Sequence, residues 1–418
     1  MINVVGLGYI GLPTSLMLAS KGLEVVGTDL NQNIVNNLKS QNVTFKEDGL
    51  EDLLKKAIEN KIRFTTEYVD ADVYIIAVPT PYDGSSKKID PAYLICATKS
   101  VVEVASDGAI LVVESTISPG TIDRIVRPIV EESNKSIDLV HAPERILPGS
   151  MIKELVNNSR TIGADKPEVA EKVKSIYGSF CKGDIVLTDI KTAEMSKVVE
   201  NTYRDINIAF ANELAKICRQ DHMDVYEIIK IANKHPRVNI LTPGPGVGGH
   251  CISVDPWFLV GDYPELARLI GTARKVNDSM PTFVLDRLRD IMKDNYIEDM
   301  SRVGIYGITY KPNVDDTRES PSLQFLNLLD DDERSLIKIY DPMVEPSRYE
   351  GMVEGFDEFL GGIDLVLVMV DHKQLSVNED KLEGKIIFDT KDCHIDSNDS
   401  GGKKYFSEKV LTKAVFIW

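Results

Sequence analysis

The sequence lacks the long apolar runs that mark a membrane protein. A transmembrane helix needs roughly 18 consecutive apolar residues, whereas the apolar run at residues 365–370 is short and suits a buried strand. The N-terminus shows no signal-peptide pattern, because Met1 leads almost directly into strand residues. We therefore expect a cytoplasmic protein without a membrane partner.

Cysteine and histidine are also scarce. The chain has five cysteines without a CxxC pair and six histidines without an HExxH motif. An odd number of scattered cysteines indicates reduced thiols and argues against a disulfide framework. Because no spacing suits metal ligands, we predict no metal site.

Positive charge is in deficit as well. The chain has 48 Lys and Arg residues against 65 Asp and Glu residues, giving a net charge of −17. Nucleic-acid binding needs a basic surface, so we expect no nucleic-acid partner, although a local cationic cluster could still bind a small anion. The 418-residue length and 43% hydrophobic content indicate a soluble protein of two or three domains.

The N-terminal segment has the pattern of a dinucleotide-binding site. A strand at residues 3–5 leads into a GxGxxG loop, a helical pattern, a second strand at residues 24–28 and then Asp29. In this pattern the glycines admit a pyrophosphate to the helix N-terminus, and the acid binds a ribose 2′-hydroxyl. Asp29 would repel the 2′-phosphate of NADP, so we predict NAD. The predicted contacts are Gly6, Gly8, Tyr9, Ile10, Gly11 and Asp29.

Three further strand patterns end in polar residues. These strands, at residues 73–78, 110–113 and 138–140, alternate with helical patterns, which is typical of a doubly wound parallel sheet. Ligands bind beyond the carboxyl ends of such strands. The residues at these ends are Thr80, Pro81, Ser115, Thr116 and Glu144. Any one of them could serve as a turn or cap residue, but their recurrence favours a ligand site, most of all for Thr116 and Glu144.

The middle of the chain is predicted to be helical. Lys197 and Asn201 lie one turn apart on one helix face, a pairing that by itself usually marks solvated surface. A helical middle between two α/β halves is a natural dimerisation surface, and we expect a homodimer or a higher homo-oligomer. Arg237 either binds an anion or caps a helix.

A glycine-rich stretch interrupts these helices and delivers one thiol. Residues 243–249 contain four glycines and two prolines, which prevent a regular helix or strand, and Cys251 follows closely. A cysteine in this position can lie at a helix start, where exposed N–H groups stabilise a thiolate. By itself the stretch fits a catalytic nucleophile and a flexible loop beside a buried cysteine equally well.

The C-terminal part repeats the pattern of strand, loop, helix, strand and acid. The strand at residues 303–307 and the strand at residues 337–340, which Asp341 follows, indicate a second Rossmann-like unit. The loop after its first strand lacks a third glycine but carries Lys311 and Arg318. These cations favour a nucleotide or a diphosphate held by side chains over a second NAD, and a basic surface turn is the competing interpretation.

Taken together, these motifs resemble the nucleotide-sugar 6-dehydrogenases of the UDP-glucose/GDP-mannose dehydrogenase family. The resemblance extends over the whole chain. The matching segments are Gly6 to Pro13, Thr80-Pro81, Glu114-Ser115-Thr116, Ala142-Pro143-Glu144-Arg145, Ala193 to Lys197 with Asn201, Gly248-Gly249-His250-Cys251 with Asp255, and Lys311 with Asp316 to Ser320. It implies three parts: an NAD-binding Rossmann domain (1–190), a central helical dimerisation and catalytic region (191–298), and a Rossmann-like UDP-sugar-binding domain (299–418).

The resemblance further implies that the C6 hydroxyl of a UDP-sugar is oxidised to a carboxylate while two NAD⁺ are reduced. Within the family the segments look most like the enzymes that oxidise UDP-N-acetyl-D-mannosamine. The UDP-glucose enzymes usually have Phe where this chain has Arg145, and they usually lack the His250 that precedes the cysteine. UDP-N-acetylglucosamine and UDP-glucose remain as alternative substrates.

Residue roles also follow from the resemblance. Cys251 is the implied nucleophile, Lys197 and Asn201 bind an oxyanion, and Asp255 holds a water or assists proton transfer. Glu144 and Thr116 assist thioester hydrolysis through water, and Arg318 faces NAD. The implied substrate contacts are Glu144, Arg145, Lys197, Asn201, Arg237 from across a dimer interface, Asn239, Gly248, Gly249, His250 and Lys311.

This chemistry explains why a thiol is needed. An aldehyde donates a second hydride only after a nucleophile has added to its carbonyl carbon, and a thiolate does so by forming a thiohemiacetal. A two-electron NAD-dependent hydroxy-acid dehydrogenase would need no thiol. A non-catalytic NAD-binding scaffold would leave Lys197, Cys251 and Glu144 without a purpose.

Overall fold

The computed structural model describes residues 1–249, 251–391 and 415–417. By compactness the chain forms two units, of which the first comprises residues 1–201 and 257–267 and the second comprises residues 202–256 and 268 onward. Among the described residues, no helix combines the length and the apolar character that crossing a membrane requires.

The first unit contains an eight-stranded sheet. Its strands are β1 (Ile2–Val5), β2 (Val25–Thr28), β3 (Arg63–Thr65), β4 (Val73–Ile76), β5 (Ile110–Val113), β6 (Asp138–His141), β7 (Arg160–Ala164) and β8 (Ile185–Thr188). Their order in the sheet is β3-β2-β1-β4-β5-β6-β7-β8. Every neighbouring pair is parallel except β6 and β7, which are antiparallel. The predicted doubly wound sheet is confirmed, and the direction of the chain order reverses between β1 and β4.

Helices cover both faces of this sheet. They are α1 (Gly11–Ser20), α2 (Gln32–Lys39), α3 (Leu50–Glu59), α4 (Ala92–Val104), α5 (Arg127–Glu132) preceded by a π-helical turn (Ile122–Val126), α6 (Met151–Asn157) and α7 (Pro167–Tyr177). Successive strand residues point to opposite faces, so Val4 belongs to one hydrophobic core and Val5 to another. Burial on both faces explains why the strands read as continuous apolar runs.

Further helices follow the first sheet along the chain. They are α8 (Ile190–Gln220), α9 (Val225–Ala232), α10 (Asp255–Asp262), α11 (Arg268–Asp278) and α12 (Met280–Asp294). With 31 residues, α8 is about 46 Å long. Asp224 caps the N-terminus of α9, because its carboxylate accepts the amides of Tyr226 and Glu227 at 2.9 and 3.1 Å.

The second unit contains a five-stranded parallel sheet. Its strands are numbered along the chain and lie side by side in the order β10-β9-β11-β12-β13. These strands are β9 (Val303–Tyr306), β10 (Lys338–Tyr340), β11 (Leu365–Val368), β12 (Ile386–Asp389) and β13 (Val415–Ile417). The accompanying helices are α13 (Pro321–Leu326), α14 (Asp331–Leu336), α15 (Phe356–Leu360) and α16 (Lys373–Val377), with 3-10 turns at Met300–Arg302, Pro346–Arg348 and Glu379–Leu382. The predicted second Rossmann-like unit is therefore confirmed.

Candidate active site

The GxGxxG loop between β1 and α1 leaves one open position. A Cβ atom on Gly11 would lie 1.8 Å from the Gly6 carbonyl oxygen, and one on Gly6, whose φ is +90°, would lie 2.6 Å from the Ala77 oxygen. A Cβ atom on Gly8 would meet nothing within 4 Å. The outer glycines thus permit close packing of the loop, and the middle one leaves a surface that phosphates can approach. These residues fit a bound dinucleotide.

Asp29 lies directly against this loop. Its two carboxylate oxygens accept the Leu7 and Asn31 amides, both at 2.8 Å. Lone pairs remain on both oxygens for a ribose hydroxyl. Nearby, the half-buried ring of Tyr9 packs against Phe45 in a tilted arrangement, with 4.4 Å between centroids. The ribose contact of Asp29 stays a prediction, but its carboxylate is in the position that such a contact needs.

The predicted residues after β4 and β5 are brought together. The Thr80 hydroxyl donates to the Thr116 carbonyl at 2.6 Å, and the Ser115 hydroxyl donates to the Val78 carbonyl at 2.7 Å. Thr80 and Ser115 therefore act as turn residues, and their hydrogen bonds connect the loop after β4 to the loop after β5. Thr116 and Pro81 are half-buried beside them.

Glu144 follows β6 and is buried, with both carboxylate oxygens held by the protein. One oxygen accepts the Arg145 amide at 2.7 Å, and the other accepts a short hydrogen bond from the Arg160 guanidinium. Arg160 is only 3% exposed. It is a residue that the sequence analysis missed; the one signal was a charged residue at the start of an otherwise apolar segment.

A second carboxylate shares the same guanidinium. Glu114, just after β5, accepts hydrogen bonds from Arg160 at 3.3 Å and from the Tyr177 hydroxyl at 3.1 Å. The guanidinium carbon lies over the rings of Tyr177 and Phe180, at 4.4 and 5.2 Å from their centroids. Burial raises the pKa of Glu114 to about 7, although Arg160 opposes the shift.

Lys197 and Asn201 on α8 are buried, with exposures of 5% and 0%, and do not form the solvated face that such a pair usually marks. Two acids fasten this part of α8. Glu194 accepts the amides of Gly120 and Ile122, the latter at 2.9 Å, and Glu200 accepts Arg145 at 2.7 Å. This burial agrees with a role in a site.

The side chain of Arg145 is engaged within the protein. Its guanidinium donates to the Ser159 carbonyl at 2.8 Å and the Thr161 hydroxyl at 2.9 Å, and it pairs with Glu200. These bonds fasten the Glu144 loop to β7 and α8. The substrate contact of Arg145 stays a prediction. Its hydrogen bonds and ion pair within the protein give it a structural role as well.

Cys251 belongs to the second unit and lies in a turn that leads into α10. Its carbonyl accepts the Val254 and Asp255 amides at 3.2 and 2.8 Å, so the turn is already helical. The residue is half-buried, whereas Asp255, the first residue of α10, is buried. Cys251 therefore lies one turn before α10, and the stabilisation of its thiolate by helix amides stays a prediction. His250 lies outside the described residues.

The glycines before Cys251 pack against the loop that carries Lys311 and Arg318. The Gly249 amide donates to the Arg318 carbonyl at 3.0 Å. A Cβ atom on Gly248 would lie 2.7 Å from the Glu319 oxygen, and one on Gly249, at φ +83°, would lie 2.8 Å from the Tyr310 ring. These glycines admit a neighbouring loop of the protein, so the cysteine loop and the cationic loop meet.

A buried amide network anchors the start of the cysteine loop. The Gly244 amide donates to Asn212 on α8, which donates to Asn277 on α11, both at 2.8 Å. Asn277 in turn donates to Asp205 at 2.8 Å, and Arg274 pairs with the same carboxylate. The sequence contained no local signal for this network, because its members come from separate helices.

The cationic loop is held by an acid at the end of β10. Asp341 accepts the Ile308 and Thr309 amides at 2.7 and 3.1 Å, much as Asp29 accepts Leu7. Arg318 forms a bidentate pair with Asp316, with a shortest distance of 2.6 Å, and Lys311 is half-buried. The roles of Lys311 and Arg318 as ligand contacts stay predictions.

The remaining predicted substrate residues lie in the segment after α9. Arg237 is exposed, as is Asn239, whose carbonyl accepts Asn207 of α8 at 2.8 Å. Thr116, Glu144, Lys197 and Asn201 belong to the first unit, and Cys251 and Asp255 to the second. Within the described parts of the chain, no group of three His, Cys, Asp or Glu residues could hold a metal.

Comparison with known proteins identifies the family. Residues 1–181 match the NAD-binding domain of the UDP-glucose/GDP-mannose dehydrogenase family, residues 191–279 its central domain and residues 304–396 its UDP-binding domain. The chain belongs to this family. The predicted family and the NAD cofactor are thereby confirmed, and the UDP-binding domain supports a UDP-linked sugar as substrate.

Relatives within the family have been named for several sugars. A UDP-N-acetyl-D-mannosamine dehydrogenase of Methanococcus maripaludis is 46% identical over 93% of this chain and 92% of its own. An NDP-N-acetyl-D-galactosaminuronic acid dehydrogenase of Ralstonia solanacearum is 39% identical over 93% and 95%. The solved structure of UDP-D-ManNAc dehydrogenase from Pyrococcus horikoshii matches with a TM-score of 0.88 at 35% identity, over 100% of this chain and 99% of that one.

The glycine loop allows packing and ligand contact to be separated by experiment. We expect Gly11→Ala to lower the free energy of unfolding by about 1–3 kcal/mol, because its Cβ would overlap the Gly6 carbonyl. The matched variant Gly8→Ala should unfold like the wild type but bind NAD about tenfold or more weakly, since its methyl group obstructs the phosphates. Thermal unfolding and calorimetric NAD titration test both; equal effects of the two variants on stability would contradict the assignment.

The raised pKa of Glu114 makes stability depend on pH. A buried acid with a raised pKa contributes stability that is present below its ordinary value near 4.5 and is lost as pH rises to about 7. The free energy of unfolding of the wild type should therefore fall by up to about 3 kcal/mol between pH 4.5 and pH 7, relative to that of Glu114→Gln. Urea unfolding of both proteins at pH 5 and pH 7.5 measures this difference. Parallel pH profiles would show that Glu114 ionises normally.

Proposed function

We propose that this chain oxidises the C6 hydroxyl of UDP-N-acetyl-D-mannosamine to a carboxylate through a thioester on Cys251. The observation that carries the proposal is the half-buried Cys251, one turn before α10, in a loop packed against the cationic loop of the UDP-binding domain. The named activity of the Methanococcus relative supports the choice of sugar.

Each residue has a chemical task in this proposal. Bound NAD supplies the hydride acceptor for both oxidations. Once the alcohol has become an aldehyde, the Cys251 thiolate adds to C6, and Lys197 and Asn201 stabilise the negative charge that develops on the sugar oxygen. Loss of the second hydride from C6 leaves a thioester.

Hydrolysis completes the reaction. A water molecule adds to the thioester carbon, the C–S bond breaks, and the thiolate is restored. Glu144 accepts a proton from this water, with Thr116 helping to order it, and Asp255 assists proton transfer near the thiol. Overall, one alcohol, two NAD⁺ and one water yield one carboxylate, two NADH and three protons.

The hexose is the least constrained part of the proposal. UDP-N-acetylglucosamine and UDP-glucose are alternative substrates. The Ralstonia relative is named for an N-acetylgalactosamine-type sugar, so another N-acetylated sugar is a further alternative. A two-electron hydroxy-acid oxidation is disfavoured, because it would give the thiol and the buried Lys197 no task.

The proposed reaction is tested by counting NADH. Incubation with a panel of UDP-hexoses should give two NADH per sugar, fastest with UDP-N-acetyl-D-mannosamine. Cys251→Ala should form no uronate yet bind NAD normally, whereas Cys96→Ala, at an exposed position on α4, should behave like the wild type. A Cys251→Ala variant with wild-type turnover, or a ratio of one NADH per sugar, would contradict the proposal.

We also propose that the chain self-associates through α8. Tyr203, Phe210 and Ile217, spaced seven residues apart on α8, form an exposed apolar stripe with exposures of 60, 51 and 50%. The seven-residue spacing keeps these side chains on one face of the helix, and a second copy offers an identical stripe. Burial by a second copy would remove this apolar surface from water.

If the chain self-associates through this stripe, one charge placed within the stripe should prevent the association. Phe210→Glu should lower the molecular mass in sedimentation equilibrium to that of one chain, because a buried carboxylate opposes pairing. Gln220→Glu adds the same charge at the exposed end of α8, outside the stripe, and should leave the mass unchanged. A wild-type protein that sediments as a single chain would disprove pairing.

A further inference from the structure

A buried charge cluster connects Glu144 to side chains that the proposed reaction does not use. The Arg160 cluster consists of Arg160, Glu144, Glu114 and Tyr177. Arg160 donates to Glu144 through one terminal nitrogen and to Glu114 through the other. All four side chains are buried.

The antiparallel strand explains how Arg160 reaches this position. Val140 of β6 pairs with Ala164 of β7, and His141 pairs with Gly163. Continuing this register places Arg160, the first residue of β7, opposite Glu144, beyond the end of β6. A parallel β7 would place its first residue at the other edge of the sheet.

The cluster has one cation for two carboxylates. Arg160 and the Tyr177 hydroxyl both donate to the same oxygen of Glu114, and the other oxygen makes no hydrogen bond among the described residues. That second oxygen can carry a proton, which makes the cluster neutral. The raised pKa of Glu114 agrees with this count of charges.

In the described parts of the chain, the other groups around Glu114 do not supply a second cation. The buried hydroxyl of Thr14 lies near the carboxyl but carries no charge, and the Cys181 thiol lies near Arg160. His141 is buried on β6, and burial lowers its pKa to about 3, so it is neutral. Glu144 and Glu114 therefore compete for a single guanidinium.

We propose that Arg160 is a positioning residue that orients Glu144 toward the water of thioester hydrolysis, and that the protonation of Glu114 controls how fully Arg160 is committed to Glu144. This inference rests on the proposed role of Glu144. With Glu114 protonated, the guanidinium neutralises Glu144 alone. With Glu114 ionised, the guanidinium is shared, and the less neutralised Glu144 carboxylate accepts a proton from water more readily.

The test separates oxidation from hydrolysis. Protein is mixed with NAD⁺ and UDP-N-acetyl-D-mannosamine in a single turnover, NADH is followed by absorbance, and the thioester is followed by the intact mass of the protein. Arg160→Lys keeps the charge but cannot bridge two carboxylates. We expect it to release two NADH promptly and then to hydrolyse the thioester about tenfold or more slowly, a loss smaller than the ~10²–10⁴-fold that removal of the general base itself would cause.

The role of Glu114 is tested through pH. The wild-type hydrolysis rate should rise as pH increases through about 7, and Glu114→Gln should give a flat profile between pH 6 and 8. Arg127→Lys, which alters a salt bridge with Asp123 and Asp165 instead, serves as control and should match the wild type.

The outcomes distinguish the two proposals. If Arg160→Lys hydrolyses the thioester as fast as the wild type, or if Glu114→Gln keeps the wild-type pH profile, the positioning proposal is wrong while the proposed function stands. If no mass adduct forms on Cys251 in any variant, the proposed function itself fails. Circular dichroism spectra that match the wild type at the assay temperature show that a slow rate does not reflect partial unfolding.

Discussion

Both sheets depend on one interaction, in which a carboxylate at the end of the second strand accepts backbone amides from the loop after the first strand. Asp29 holds the amide of Leu7 in this way, and Asp341 holds those of Ile308 and Thr309. Adjacent parallel strands end at the same edge of a sheet, so this bond fixes the loop at the edge where ligands bind. In the first unit the loop presents the open surface at Gly8, and in the second it presents Lys311.

Much of this fold could be predicted from the sequence, because the patterns that encode it are local. Buried strands appear as apolar runs, and the GxGxxG loop joins one such run to a helix. The three glycines differ in task, however, and only the structure separates the packing of Gly6 and Gly11 from the open position at Gly8. Similarly, the glycines before Cys251 marked an irregular loop, but their contact with Tyr310 required the fold of the second unit.

Residues whose surroundings come from distant parts of the chain could not be predicted. Lys197 looked like a surface residue because helical spacing shows which residues share a face but not what covers that face. The burial and pairing of Arg160 could not be predicted because its partners, Glu114 and Glu144, are 46 and 16 residues away in the chain. The antiparallel direction of β7, which brings them together, leaves no periodic pattern in the sequence.

The Arg160 cluster fills part of the interior with charged groups, whose burial costs desolvation free energy. Transferring charged groups such as Arg160 and Glu144 out of water costs several kcal/mol per ion, and well-packed apolar side chains of similar volume are often as stable or more so. The cores on both faces of this sheet are already built from Val, Leu and Ile, so apolar replacements would suit their surroundings. Stability therefore does not account for two carboxylates around one guanidinium, whereas a carboxylate that must remain charged and oriented at the edge of the sheet does.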